Sequence, residues 1–142
     1  VRNPLYFITT CTHGRKRILA DPAIAECLRA EWLAAEARHG WRVGRYVIMP
    51  DHVHFFTAPV AEAKALGDFV GRWKEWTAKA IFRTIAGTSP FWQHRFFDHV
   101  LRSRESYAEK WEYVRQNPVR AGLANAPEDW PYSGHIHFDD PR

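Results

Sequence analysis

His52 and His54 stand two residues apart in the run MPDHVHFF, and on an extended chain residues at that spacing project from the same face. Two imidazoles side by side can share a metal ion, because each offers a ring-nitrogen lone pair. Val53 and Phe55 then point the other way, into the core behind the strand. Taken alone, the pair fits two incidental strand histidines equally well. Tyr113 and Asn117 form a second pair. If the residues after Ser103 form a helix advancing about 100° per residue, Tyr107, Trp111 and Val114 cluster within about 60° of arc as its buried stripe. Tyr113 falls more than about 100° from the centre of that stripe, so a core role explains it poorly. Asn117 follows one turn later on nearly the same face, so a phenol and an amide carbonyl would project together. Without the histidines, an exposed tyrosine and a helix-ending asparagine before Pro118 would describe them as well.

The elements that must position these groups follow from pattern. Leu5 to Thr10 is aromatic and β-branched, as a strand would be, and runs into a basic loop containing His13, Arg15, Lys16 and Arg17. Asp21 and Pro22 make an N-cap followed by a first-turn proline. They open a helix whose Ile24, Leu28, Trp32 and Ala35 recur at helical spacing until His39-Gly40. Arg42 to Met49 and His52 to Ala58 are two strands joined at Pro50-Asp51, which sets the histidines just past a tight turn. Leu66, Phe69, Val70, Trp73, Thr77 and Ile81 form the stripe of a second helix ending near Gly87. Phe96 to Arg102 is a further strand. Ser103 or Ser106 can cap the third helix, with Glu109 completing a capping box for Ser106.

The order strand-helix-strand-strand-helix-strand predicts an α+β, ferredoxin-like split βαβ fold: an antiparallel sheet with helices on one face and an added C-terminal helix. The other sheet face, left open, is the expected place for ligand chemistry.

The chain's 142 residues, 46% of them hydrophobic, suffice for one core and are too few for two ordinary domains, so residues 1–142 are expected to form a single domain. No stretch approaches the roughly 20 apolar residues of a membrane-spanning helix. The N-terminal VRNPLYFITT lacks the regions of a signal peptide, which makes the cytoplasm the expected compartment. Cys11 and Cys27 are spaced for neither a disulfide framework nor a zinc knuckle and are expected to be reduced, buried and inert. The net charge of +4 favours a polyanionic partner, because Lys and Arg contacts to phosphates release condensed counterions. Seven Trp, nine Phe and five Tyr include rings that could stack on unpaired bases, although most belong in the core. Trp92, Phe96 and Phe97 are assigned there.

At this point the motifs support a resemblance. The run YVIMPDHVHFF from Tyr46 to Phe56 resembles the signature of HUH single-tyrosine transposases, and YVRQNPVRAGL from Tyr113 to Leu123 resembles their tyrosine-helix motif. FWQHRFFDHVLRS at 91–103 and DWPYSG at 129–134 resemble two further segments of the family, in the same order. Within it the chain is most similar to the REP-associated tyrosine transposases. The resemblance implies that Tyr113 is the nucleophile, that the third helix is the catalytic one, and that cleavage passes through a 5′-phosphotyrosine. It also implies that His52, His54 and the Asn117 side-chain oxygen hold a divalent ion. Two imidazoles and an oxygen suit Mg²⁺ or Mn²⁺. The implied partner is single-stranded DNA with hairpin structure, of the REP type, and such enzymes work as monomers or homodimers. Arg15, Lys16, Arg17, Arg102, Arg104, Arg115 and Arg120 are the candidate DNA contacts.

Three other readings compete. A histidine-triad nucleotide hydrolase would want a histidine at position 56, where Phe56 stands. A replication-initiator nickase would share the HUH chemistry, and a catalytically idle module would bind structured single strands without cutting them. His135 and His137 repeat the His-x-His spacing near the terminus and are set aside as metal ligands, terminal residues being often poorly ordered. His94 and His99 precede the catalytic helix and are expected to be structural or DNA-contacting.

Overall fold

The alternation of large apolar side chains along β3 (His52–Pro59) decides the architecture. In the computed structural model, which describes residues 4–140, Val53 and Phe55 join one buried cluster and Phe56 a second, on opposite faces of the sheet. β3 lies in the middle, antiparallel to β1 (Leu5–Cys11) and to β2 (Trp41–Ile48). β4 (Phe97–Leu101) pairs with β1, and β5 (Ser133–His135) with β2, giving the order β4-β1-β3-β2-β5. The first four strands have the predicted ferredoxin-like arrangement.

α1 (Pro22–Leu33) and α3 (Leu66–Phe82) cover the Val53 and Phe55 face, packing Leu28, Trp32, Phe69 and Trp73 against it. Asp21 caps α1 as expected, accepting from the Ala23 and Ile24 N–H groups at 3.1 Å each. The single helix expected up to Gly40 is divided at Ala34 into α1 and α2 (Ala35–His39), which Gly40 ends with a φ of 75°. α3 stops at Phe82, short of Gly87, because the Thr84 and Ile85 N–H groups both turn back onto the Ile81 carbonyl at 2.9 Å.

The second face is not wholly open. Phe7, Val47, Phe56 and Leu101 make it too apolar to leave in water, and α4 (Arg104–Arg115) covers them with Tyr107 and Val114. Tyr107 meets Phe56 edge-on, with ring centroids 4.8 Å apart. Of the two possible caps, Ser103 is used: its Oγ accepts from the Ser106 N–H at 3.0 Å, so the capping box based on Ser106 does not form. A short α5 (Asn117–Arg120) carries the chain past Pro118.

Residues 133–137 pack as part of the fold. β5 extends the sheet, and His137 accepts from the Val43 N–H at 2.8 Å through Nδ1. Trp92 is core, donating from Nε1 to Thr77 Oγ1 at 3.0 Å, and Phe96 is partly buried. Phe97, also assigned to the core, is 66% exposed on the edge strand. Cys11 is buried and Cys27 half-buried, both as free thiols.

Candidate active site

The turn before β3 is held tightly, with Met49 N–H donating to His52 O at 2.8 Å and Thr12 N–H to Asp51 O at 2.9 Å. From it His52 and His54 emerge on one face with ring centroids 4.8 Å apart and planes at 79°, as their spacing predicts. Each Nδ1 is engaged: His52 with Asp51 Oδ1 at 2.7 Å, His54 with Thr9 Oγ1 at 2.8 Å. The Asp51 carboxylate accepts from His52 Nδ1 and so leaves that ring's Nε2 lone pair for a ligand, while the Thr9 hydroxyl fixes the orientation of the His54 ring. Arg15 Nε donates to Asp51 Oδ2 at 2.9 Å, extending the chain of support.

Electrostatics keep His54 ready to bind. Burial, followed by the charges of His52, Lys110 and Arg120, pushes the His54 pKa down to about 3, so the ring is neutral at neutral pH. Burial works to raise the Asp51 pKa, but hydrogen bonds from His52 and Arg15 outweigh it and hold the carboxyl below its usual range. The Phe7 ring stacks on His54 at 5.2 Å and 18°, and Lys110 Nζ lies 5.1 Å from the centre of the Phe7 ring.

The helical half of the site is organised by Arg120. Its guanidinium lies 3.9 Å from the centroid of the Tyr113 ring, donates to the Tyr113 carbonyl at 2.7 Å, and also donates to Asn117 Oδ1. Tyr113 is 64% exposed, as its helical phase predicts, and lines a groove with His99, Leu101, Ser106, Glu109 and Lys110. The charges of Lys110 and Arg120 both act on His54. Among the described residues no hydrogen bond or ring contact joins Tyr113 or Asn117 directly to His52 or His54.

A metal would fit the donor set. His52 and His54 offer two ring-nitrogen donors on one face, and the Asn117 side-chain oxygen accepts from Arg120. Among the described residues His135 and His137 join no cluster of three His, Cys, Asp or Glu side chains; His137 serves the backbone.

The predicted DNA contacts fall into two groups. Arg15 pairs with Asp51 and supports His52, Arg115 pairs with Glu112 and Glu128, and Arg120 lies on Tyr113. Lys16, Arg17, Arg102 and Arg104 are exposed, and among the described residues none is in an ion pair. Thr9, Asp51, Phe7 and Lys110 were not among the predicted site residues. Only Asp51 carried a local signal, a carboxylate adjoining the first histidine.

This arrangement coincides with clear relationships to known proteins. Residues 1–117 match the family model described as "Transposase IS200 like". An Escherichia coli K12 REP-associated tyrosine transposase is 27% identical, the match covering 94% of this chain and 77% of that protein. A Haemophilus influenzae Rd relative assigned to the same group is 40% identical, covering 95% and 81% respectively. A solved REP-associated tyrosine transposase bound to a REP hairpin shares the fold with a TM-score of 0.78 at 22% identity, over 94% of this chain and 77% of that one. No helix among the described residues is long and apolar enough to cross a membrane. The chain thus belongs to the IS200-like transposase family, whose members cleave and rejoin DNA, and its relatives within it include the REP-associated tyrosine transposases.

Proposed function

We propose that this chain is a metal-dependent single-strand endonuclease and strand transferase acting on hairpin-bearing, REP-like DNA, with Tyr113 as nucleophile. The reading is supported by two buttressed histidines on β3 and, on the same covered sheet face, a helix that carries an exposed tyrosine one turn from an amide oxygen. His52, His54 and Asn117 would hold Mg²⁺ or Mn²⁺, which when bound supplies Lewis-acid polarisation of the scissile phosphate.

The chain's own groups account for the rest. Tyr113 Oη forms a bond to phosphorus as the bond from phosphorus to the 3′ oxygen breaks, and the departing oxygen takes up a proton to become a 3′-hydroxyl. The 5′ end stays on the tyrosine, so the phosphodiester is conserved for rejoining when a 3′-hydroxyl attacks in reverse. The Arg120 guanidinium against the Tyr113 ring helps to hold the phenol in place for attack. Lys16, Arg17, Arg102 and Arg104 would track the phosphates.

Incubation of the chain with a single-stranded hairpin oligonucleotide and Mn²⁺ is expected to give a protein–DNA adduct that survives denaturation. Tyr113→Phe is expected to give none. Binding without an adduct in the wild type would instead support the idle module.

A further inference from the structure

Lys110 and Tyr113 stand three residues apart on α4 and so share one side of the helix. Both line a groove of about 300 Å³, whose other walls are His99 and Leu101 of β4 with Ser106 and Glu109. Lys110 is half-buried there. Its Nζ lies 5.1 Å from the centre of the Phe7 ring, which stacks on His54 with ring centroids 5.2 Å apart. One aromatic ring thus bridges the ammonium and a metal-ligand candidate, and the charge of Lys110 is felt at His54.

The ammonium has no counter-charge. Among the described residues Lys110 enters no ion pair and no hydrogen bond. Glu109 is the one carboxylate of the groove, and as the adjoining helical residue it projects about 100° away. The other cations near the site are already engaged: Arg15 with Asp51, Arg115 with Glu112 and Glu128, and Arg120 with Asn117 and the Tyr113 carbonyl. Lys16, Arg17, Arg102 and Arg104 are exposed to water. Lys110 alone among these cations is drawn partly out of water, its stem along apolar surface and its head over a ring, with nothing to neutralise it. Drawing an unpaired charge out of water costs free energy that a bound anion would return.

We infer that Lys110 is a further catalytic residue of the cutting step: its ammonium holds a non-bridging oxygen of the phosphate that Tyr113 attacks, and offsets the negative charge that gathers there in the transition state. The inference rests on the proposed single-strand DNA reading and gives the groove beside Tyr113 its occupant. A cation already in place stabilises developing charge without the reorganisation that water would need. No proton moves to or from Lys110 in this step, so the same ammonium serves the rejoining step unchanged.

The test uses the full chain with Mn²⁺ and two hairpin strands, one natural and one with a neutral methylphosphonate at the linkage that the wild type cuts. On the natural strand Lys110→Gln is expected to slow adduct formation about 100-fold, the scale of removing one preplaced donor, and Lys110→Arg to recover most of the rate. On the neutral linkage, where the charge to be held is gone, wild type and Lys110→Gln are expected to react alike. An equal gap on both strands would make Lys110 a support of α4 and overturn the inference, as would an undiminished rate of Lys110→Gln on the natural strand. Should the neutral linkage be inert to both proteins, binding without metal decides. There the wild type is expected to prefer the charged strand about tenfold and Lys110→Gln to bind both alike; a preference kept in the variant would overturn the inference. A wild type that binds the hairpin but never becomes attached to it would overturn the catalytic reading and this inference with it, whereas the preceding outcomes overturn the inference alone.

Discussion

Thr9 on β1 and His54 on β3 are register partners whose side chains meet with 2.8 Å between Oγ1 and Nδ1. The hydroxyl orients a buried, neutral imidazole. Thr9→Val keeps the shape and removes the partner. It is expected to weaken Mn²⁺ binding about 10- to 100-fold, read by calorimetry; unchanged affinity would show that the ring needs no such support.

Arg120 should matter to turnover more than to DNA affinity. It lies on the Tyr113 ring and engages Asn117 as well, so Arg120→Ala frees both groups to wander. Adduct formation is expected to slow about 100-fold, the scale of a small misplacement of a reacting group, with hairpin affinity falling far less. An equal loss in both quantities would make Arg120 an ordinary phosphate contact.

Two phenylalanines on the same sheet face should behave oppositely. Phe56 is fully buried under Tyr107 and Trp111, and its truncation to Ala is expected to cost about 3–5 kcal/mol in denaturant unfolding. Phe97 is 66% exposed, so Phe97→Ala should stay within about 0.5 kcal/mol of wild type. A large loss at Phe97 would indicate burial by another surface.

Acid should destabilise the fold partly through His39. Burial, followed by the charges of Lys64, Arg38 and Arg72, lowers its pKa, so between the lowered folded value and about 6.5 the unfolded chain binds the extra proton. The contribution is fully present above about pH 6.5 and is lost as pH falls through that window toward the folded value. The melting temperature of His39→Gln is expected to depend less steeply on pH there; parallel curves for the two proteins would assign the effect elsewhere.

The parts of the site that were legible in the sequence are those set by local periodicity. The two-residue alternation of β3 placed His52 and His54 opposite Val53 and Phe55, and helical phase took Tyr113 off the Tyr107 and Val114 stripe. What depends on pairing between distant segments was not legible. Thr9 reaches His54 only because β1 adds beside β3, and Lys110 reaches Phe7 only because α4 crosses that face. β5 is a three-residue strand whose pairing with β2 gives it its place, so no pattern of its own announced it. The choice of Ser103 over Ser106 as cap likewise followed from where β4 delivers the chain.

Peptide mapping by mass spectrometry after reaction with hairpin DNA and Mn²⁺ tests most directly whether Tyr113 is the nucleophile. The expected product is a nucleotide joined through its 5′ phosphate to Tyr113, with a released strand whose 3′-hydroxyl a polymerase can extend. DNA attached to any other residue, or cleavage that leaves a 3′ phosphate, would contradict that assignment.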